Sequence, residues 1–249
     1  MPRILCLDVG NTSAHWGVVE GASVGAAGEF ATGELPAGLP DLLRATPHDG
    51  LALASVVPAA TAAMLPLLAA SGRPLHHLRH DTVRGLGFDY PNPAEVGQDR
   101  LANCIGAQVL CGAPAVVVDL GTATTFDVLT SRGYAGGVIA PGLSVMTSYL
   151  HGRTALLPRL DPAGIRTGPA LGKSTLEAMR AGCAIGFAGM ISSILEALLA
   201  ELAAGGQGRP TLLATGGTAD FLPAELASRL RREPHLTLVG LAESWRRRA

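Results

Sequence analysis

Val116-Val117-Val118-Asp119-Leu120-Gly121-Thr122-Ala123-Thr124-Thr125-Phe126-Asp127-Val128-Leu129 reads as two strands joined by a tight polar turn. The first strand is apolar on both faces, as a buried strand of an α/β sheet should be. It runs into an acid, a glycine and then Thr122, Thr124 and Thr125. Gly121 is expected to turn the chain at positive φ and to let a ligand approach the backbone closely. Threonine hydroxyls and turn amides are donors suited to phosphate oxygens, and a carboxylate at a strand end can hold a cation. The pattern apolar-apolar-Asp-x-Gly-x-Thr therefore reads as a phosphate and metal corner.

The same device stands at the start of the chain. Ile4-Leu5-Cys6-Leu7-Asp8-Val9-Gly10-Asn11-Thr12-Ser13 is again an apolar strand followed by Asp-x-Gly and polar residues, with a second apolar stretch from Trp16 to Val19. The two acids are 111 positions apart (119 − 8), which nearly halves the chain. One Asp-x-Gly would be an ordinary hairpin turn. Two copies with the same order of strand, acid, glycine and hydroxyl imply two similar lobes, residues 1–112 and 113–249, facing a shared cleft.

Composition narrows the class. With 249 residues, 48% of them hydrophobic and 16% charged, the chain can bury a substantial core. A net charge of −1 gives no electrostatic case for nucleic acid or an anionic membrane. No uninterrupted apolar run reaches the roughly 18 residues of a membrane span, and the N-terminus enters a strand without a signal peptide, so a cytoplasmic location is expected. Cys6, Cys104, Cys111 and Cys183 are scattered and read as small buried hydrophobes, not metal ligands.

Along the chain, His15 on the return strand reads as a pocket-wall or surface residue. Residues 21–50 offer one short helix around Leu39–Arg44. Leu51–Val57 is a strand, followed from Pro58 by a helix to about Ala70, the alternation of an α/β architecture. Residues 76–80 hold three of the seven histidines and read as a solvated connection. Gly85-Leu86-Gly87-Phe88-Asp89-Tyr90-Pro91-Asn92-Pro93-Ala94-Glu95-Val96-Gly97-Gln98-Asp99-Arg100 is a rigid loop leading into a helix from Leu101 to Val109, and such loops concentrate function. Asp99 is either an N-terminal helix acid with a surface partner or a general base beside an Arg100 that clamps a charged group. The loop composition favours the second.

Gly136–Gly142 is a strand and turn opening a helix from Leu143 to Leu150, a geometry able to present amides to an anion. Residues 151–172 read as irregular. Gly168-Pro-Ala-Leu-Gly172-Lys173-Ser174 has one residue too few between its glycines for a P-loop, with Thr167 where the first glycine belongs, and is read as a helix N-cap at Ser174 or Thr175. A long Ala/Leu-rich helix to about Ala204 follows, packing within the chain or at a dimer contact. Thr211–Thr218 is a last strand running into a Gly-Gly turn and a helix suited to wrap a nucleotide, and Trp245–Arg248 reads as a solvated helix end.

Together these pieces resemble the type III pantothenate kinase family, which includes Bvg accessory factor-like proteins, within the actin/sugar-kinase superfamily. The matching motifs are Asp8-Val-Gly-Asn-Thr12, Tyr90-Pro-Asn-Pro93, Gly97-Gln-Asp-Arg100 with Asn103, and Asp119-Leu-Gly-Thr-Ala-Thr-Thr125. Gly136–Gly142, Ser174-Thr175, Thr215-Gly-Gly217 and Leu236-Thr-Leu-Val-Gly-Leu241 complete the set in family order. The resemblance implies a two-lobed, duplicated α/β fold of the actin/sugar-kinase (ribonuclease H-like) type. It implies ATP-dependent phosphorylation of pantothenate at its primary hydroxyl, the first step of coenzyme A synthesis.

By the family's pattern, Asp8, Val9, Gly10, Asn11, Thr12, Ser13, Ala14 and His15 would cradle the ATP phosphates, and Thr122 would also contact ATP. Asp119 would hold a monovalent cation, potassium or ammonium. Tyr90, Gly97, Gln98, Asp99, Arg100 and Thr175 would line the pantothenate pocket, with Asp99 taking the hydroxyl proton. Magnesium would travel with ATP, using Asp8 directly or through water. The family pattern also implies a homodimer, with neither nucleic acid nor membrane as partner. The competing reading is a catalytically silent, nucleotide-binding regulator of the same family.

Overall fold

The first apolar run forms strand β1 (Ile4–Val9), in which only Asp8 escapes full burial. In the computed structural model, which describes residues 1–166 and 168–248, β1 turns back into β2 (Ser13–Glu20) with Asp8 opposite His15 and Val9 opposite Ala14. β3 (Ser23–Ala31) continues the meander antiparallel to β2. The sequence reading missed this strand because its Gly- and Ala-rich run has weak strand propensity. Pairing to β2 creates it, and its mostly exposed side chains identify a sheet edge.

Helix α1 (Leu35–Ala45) leads to β4 (Gly50–Ser55), parallel to β1, and α2 (Pro58–Ala70) leads to β5 (Leu75–His77), parallel to β4. The first sheet is ordered β3-β2-β1-β4-β5. Leu5, Leu7, Leu51 and Leu53 pack with Leu35, Leu39, Met64 and Leu68 of α1 and α2 in one buried cluster. Fully burying one such side chain contributes about 2 kcal/mol.

The histidine run corrects the sequence reading. His76 lies inside β5, buried, with its Nε2 2.8 Å from Ser244 Oγ. His77 Nε2 lies 3.1 Å from Gln98 Oε1. Period-two alternation does put the two rings on opposite faces, but both faces of this strand are covered.

Helix α3 (Gln98–Leu110) is followed by β6 (Ala115–Leu120), β7 (Ala123–Thr130), β8 (Gly133–Pro141), α4 (Leu143–Arg153) and α5 (Thr175–Ala204). Then come β9 (Thr211–Thr215), α6 (Ala224–Ala227), β10 (Arg231–Arg232) and α7 (Leu236–Arg246). The second sheet is ordered β10-β9-β6-β7-β8. Read from the other edge it repeats the first sheet, with β6 to β10 in the places of β1 to β5. β1 and β6 share one burial pattern, with the acid fifth of six residues in each. The fold is duplicated α/β.

By contacts the chain divides into two compact units, Met1–Ala115 with Asp127–Gly136 and His235–Ala249, and Val116–Phe126 with Gly137–Pro234. In the first unit α7 packs on α3 with backbones touching. A Cβ on Gly240 would lie 1.8 Å from Ala102 O, and one on Gly106 would lie 2.5 Å from Leu236 O. Thr237 Oγ1 donates to Asn103 Oδ1 across the seam at 2.7 Å. The end of α7 is docked, not solvated as the sequence reading had it. Trp245 is buried and its Nε1 donates to Pro74 O at 3.0 Å, while Arg247 donates to Gly85 O, Gln108 Oε1 and Glu243 Oε1.

In the second unit Ser174 caps α5 by accepting from Glu177 N–H, as the N-cap reading expected; Thr167 lies outside the described residues. The buried stripe of α5 is Met179, Cys183, Phe187, Ile191 and Leu195. By length and composition α5 is apolar enough to cross a membrane, with mean hydropathy 1.9 and 22% of its most apolar window buried. Glu177, Arg180, Ser192, Ser193 and Glu196 interrupt it, so it contains no unbroken apolar run of about 18 residues.

Candidate active site

In the first unit the turn after β1 is tied by backbone bonds. Gly10 N–H donates to Ser13 O at 3.0 Å, Thr32 N–H donates to Thr12 O at 3.0 Å, and Thr32 Oγ1 donates to Gly10 O at 2.6 Å. Asp8 and Gly10 are half-buried, Asn11 and Thr12 exposed, and Ser13 intermediate. Val9 and Ala14 point into the core, so they offer a ligand only main-chain groups. His15 is half-exposed and 4.0 Å from Glu29, a surface residue as expected.

The rigid loop is stitched to β8: Tyr134 N–H donates to Gly87 O and Asp89 N–H donates to Tyr134 O. Arg132 pairs with Asp89 at 2.5 Å. The ring of Tyr90 meets that of buried Tyr134 edge-on, centroids 5.4 Å apart. Helix α3 then begins three residues earlier than the sequence reading placed it, with Gly97 as N-cap. Asp99 therefore sits in the first turn, where an acid complements the helix dipole.

Gln98 Oε1 accepts from Ser55 N–H at 2.8 Å and faces His77, which ties the helix start to β4 and β5. Asp99 is half-buried, and its Oδ1 accepts the Arg100 N–H at 2.8 Å. Burial pushes the Asp99 carboxyl above its ordinary value, opposed by that N–H and by the Arg100 charge. A Cβ on Gly97 would stand 2.5 Å from Asp99 Oδ1, so glycine clears the space the carboxylate occupies.

Sequence reasoning missed Asp127 and Tyr134. Asp127, on β7, is completely buried and accepts from Arg100 Nε at 2.5 Å. The Arg100 Cζ lies 5.7 Å from the centroid of the Tyr134 ring. A signal was present: an acid inside the apolar run Phe126–Leu129 needs a buried cation, and Arg100 is the cation of the adjacent motif.

In the second unit Asp119, the residue before the end of β6, is half-buried. Gly121 N–H donates to Ala123 O at 3.1 Å and Gly142 N–H donates to Thr122 O at 3.0 Å. Gly121 does not have a positive φ, which corrects the turn angle expected of it, and neither does Gly10. What the turn does need is Gly142, whose Cβ would stand 2.3 Å from Gly121 O and Thr122 O. That contact seats the start of α4 on the turn. Gly216, at φ +88°, closes the other side: its Cβ would lie 2.7 Å from Asp119 Oδ1, and Thr218 N–H and Oγ1 both donate to Leu120 O. Thr122 is exposed on this turn, and Thr175 is exposed at the first position of α5.

Among the described residues no three His, Cys, Asp or Glu side chains gather to hold a metal ion. The oxygens around the β6 turn are one carboxylate, hydroxyls and carbonyls. Such hard, weakly charged donors fit a cation of low charge, or one that keeps most of its water.

The model of type III pantothenate kinases matches residues 4–197. The chain belongs to the type III pantothenate kinase family. A type III pantothenate kinase from Akkermansia muciniphila is 41% identical over 204 residues, 82% of this chain and 81% of that one. One from Frankia alni is 35% identical over 247 residues, 96% of each chain. Among solved structures, a Baf family protein from Campylobacter jejuni is similar in fold, with TM-score 0.62 at 19% identity over 97% of each chain. A ROK family glucokinase from Streptomyces griseus, solved with glucose and AMPPNP, gives TM-score 0.59 at 11% identity, covering 97% of this chain and 98% of that one. The fold is that of the actin/sugar-kinase group, and the protein is a kinase that uses ATP.

Proposed function

We propose that this kinase transfers the γ-phosphoryl group of ATP to the primary hydroxyl of pantothenate, giving 4′-phosphopantothenate, the first step of coenzyme A synthesis. The observation that carries the reading is the half-buried Asp99 in the first turn of α3, flanked by Gly97 and an anchored Arg100, in a chain of this family. Phosphoryl transfer asks for positioning and charge neutralisation, plus one acid to orient and deprotonate the acceptor. Asp99 takes the hydroxyl proton as the oxygen attacks the γ-phosphorus, and ADP leaves with the electron pair of the broken P–O bond. A carboxyl raised by burial keeps enough basicity for this task.

Asp8, Val9, Gly10, Asn11, Thr12, Ser13, Ala14 and His15 form the phosphate turn of the first unit, and Thr122 supplies an exposed hydroxyl in the second. Tyr90, Gly97, Gln98, Arg100 and Thr175 bind pantothenate, with Arg100 a receptor for its carboxylate. Asp119 would hold potassium or ammonium. Asp8 would meet the magnesium of MgATP, directly or through water, and that ion would supply neutralisation of phosphate charge.

The protein acts in the cytoplasm as a homodimer. Supporting the dimer, α5 carries a face on which Ile185 is 55% exposed and Gly182 and Gly189 have open space. A cavity of about 540 Å³ lies between α5 and residues 223–229 of the same unit, lined by Ala184, Ile185, Ala188, Leu226 and Arg229.

The test is ADP release with ATP and magnesium, with and without pantothenate and with and without potassium or ammonium. Pantothenate-dependent release that rises with the monovalent cation is expected. Release indifferent to pantothenate would overturn the substrate assignment, and no release from folded protein would favour the silent regulator.

A further inference from the structure

We infer that Asp127 is a positioning residue that fixes Arg100 beside Asp99 and offsets part of its charge, so that Asp99 stays a competent base next to a guanidinium. The inference rests on the reading of Asp99 as base given above. It begins from a cost: a carboxylate with no exposure, in a strand where Phe126, Val128 and Leu129 are buried apolar residues, is tolerated only with a cation. That cation is Arg100, bonded through Nε, while 13% of its side chain still reaches solvent. A bond at Nε sets the plane of the guanidinium, and the Tyr134 ring, braced by Tyr90, holds it from another side.

Asp99 and Arg100 are neighbours in the first turn of α3. An uncompensated guanidinium there would pull the Asp99 carboxyl down and weaken it as a base. Asp127 places a negative charge on the same guanidinium and offsets part of that pull, although the Arg100 charge still lowers the Asp99 carboxyl. The other titratable groups facing the pair are Cys104 on α3, Tyr134 on β8 and Tyr90 on the loop. The thiol and the Tyr134 phenol are pushed up by burial and stay neutral near pH 7. Gln98, the residue before Asp99, faces His77, which burial holds below its ordinary value.

The test is the pH profile of kcat/KM for pantothenate, which reports the base of the free enzyme. In Asp127→Asn the uncompensated Arg100 should move the ascending limb down by about one pH unit, with a pantothenate KM raised more than that of ATP. In the double variant Asp127→Asn/Arg100→Gln, a neutral pair of similar shape, the limb should return to its wild-type position or slightly above it while the KM stays high. An unmoved limb in folded Asp127→Asn would overturn the inference. If that variant does not fold, a double-variant limb well above the wild-type position would overturn it, because Arg100 would then be acting uncompensated. Absence of pantothenate-dependent turnover in the wild type would instead sink the functional reading, and the two failures are told apart by that control. His77→Gln in each background assigns the limb, because it leaves a limb due to Asp99 in place.

Discussion

Asp99 draws its proposed role from three neighbours that act on one carboxylate. Gly97 leaves room for it, the Arg100 amide orients it, and the partly buried site raises its proton affinity. Asp99→Asn keeps the shape and removes the base, so turnover should fall by about 10²-fold or more while ATP binding, read by titration calorimetry, persists. Gly97→Ala tests positioning alone. Its methyl group meets Asp99 Oδ1 and displaces it, and a shift of about an ångström can cost on the order of 10²-fold in kcat. Wild-type turnover in Gly97→Ala would show that the carboxylate position is not critical. At this scale the acids, Arg100 and the glycines were legible as residue types. The backbone angle given for Gly121 was not, because a tight turn can be closed at negative φ by hydrogen bonds such as Gly121 N–H to Ala123 O.

Among the elements, β5 and the α3–α7 seam carry the clearest tests. Burial holds the His76 imidazole down to about 4, from an ordinary value of 6.5, with the charges of Arg248, His77 and Arg84 adding to it. The unfolded chain therefore binds more protons between those values. The stability contributed by neutral His76 is complete above pH 6.5 and is lost as pH falls toward 4. His76→Gln should lose less melting temperature than wild type between pH 7 and pH 4.5; parallel losses would place the acid sensitivity elsewhere. Gly240→Ala should destabilise by about 3 kcal/mol in urea unfolding, because its methyl must push α7 off Ala102 O. The strong strands and the capped α5 were visible in periodicity and cap residues. β3 and β5 were not, since small or polar residues become strands only through a neighbour's hydrogen bonds.

For the whole molecule, removal of potassium and ammonium by dialysis into a sodium buffer should cut turnover without unfolding the protein, and adding either back should restore it. Ile185→Glu, on the open face of α5, should convert a dimer to monomers in sedimentation. An unchanged sedimentation coefficient would move the interface away from this helix. The substitution places a charge where a partner helix would bury apolar surface, which association cannot tolerate without a counter-ion.

The sequence alone determined the duplicated strand–acid–glycine device, the α/β class and the kinase family, because those depend on residue type and order. The same topology in the two sheets, with Asp8 and Asp119 at the same position in β1 and β6, follows from that order. Only tertiary structure decided that Asp127 is the partner of Arg100, that His76 is buried, and that α7 returns to the first unit against α3. Each of these joins residues distant along the chain, and burial and charge pairing act between neighbours in space.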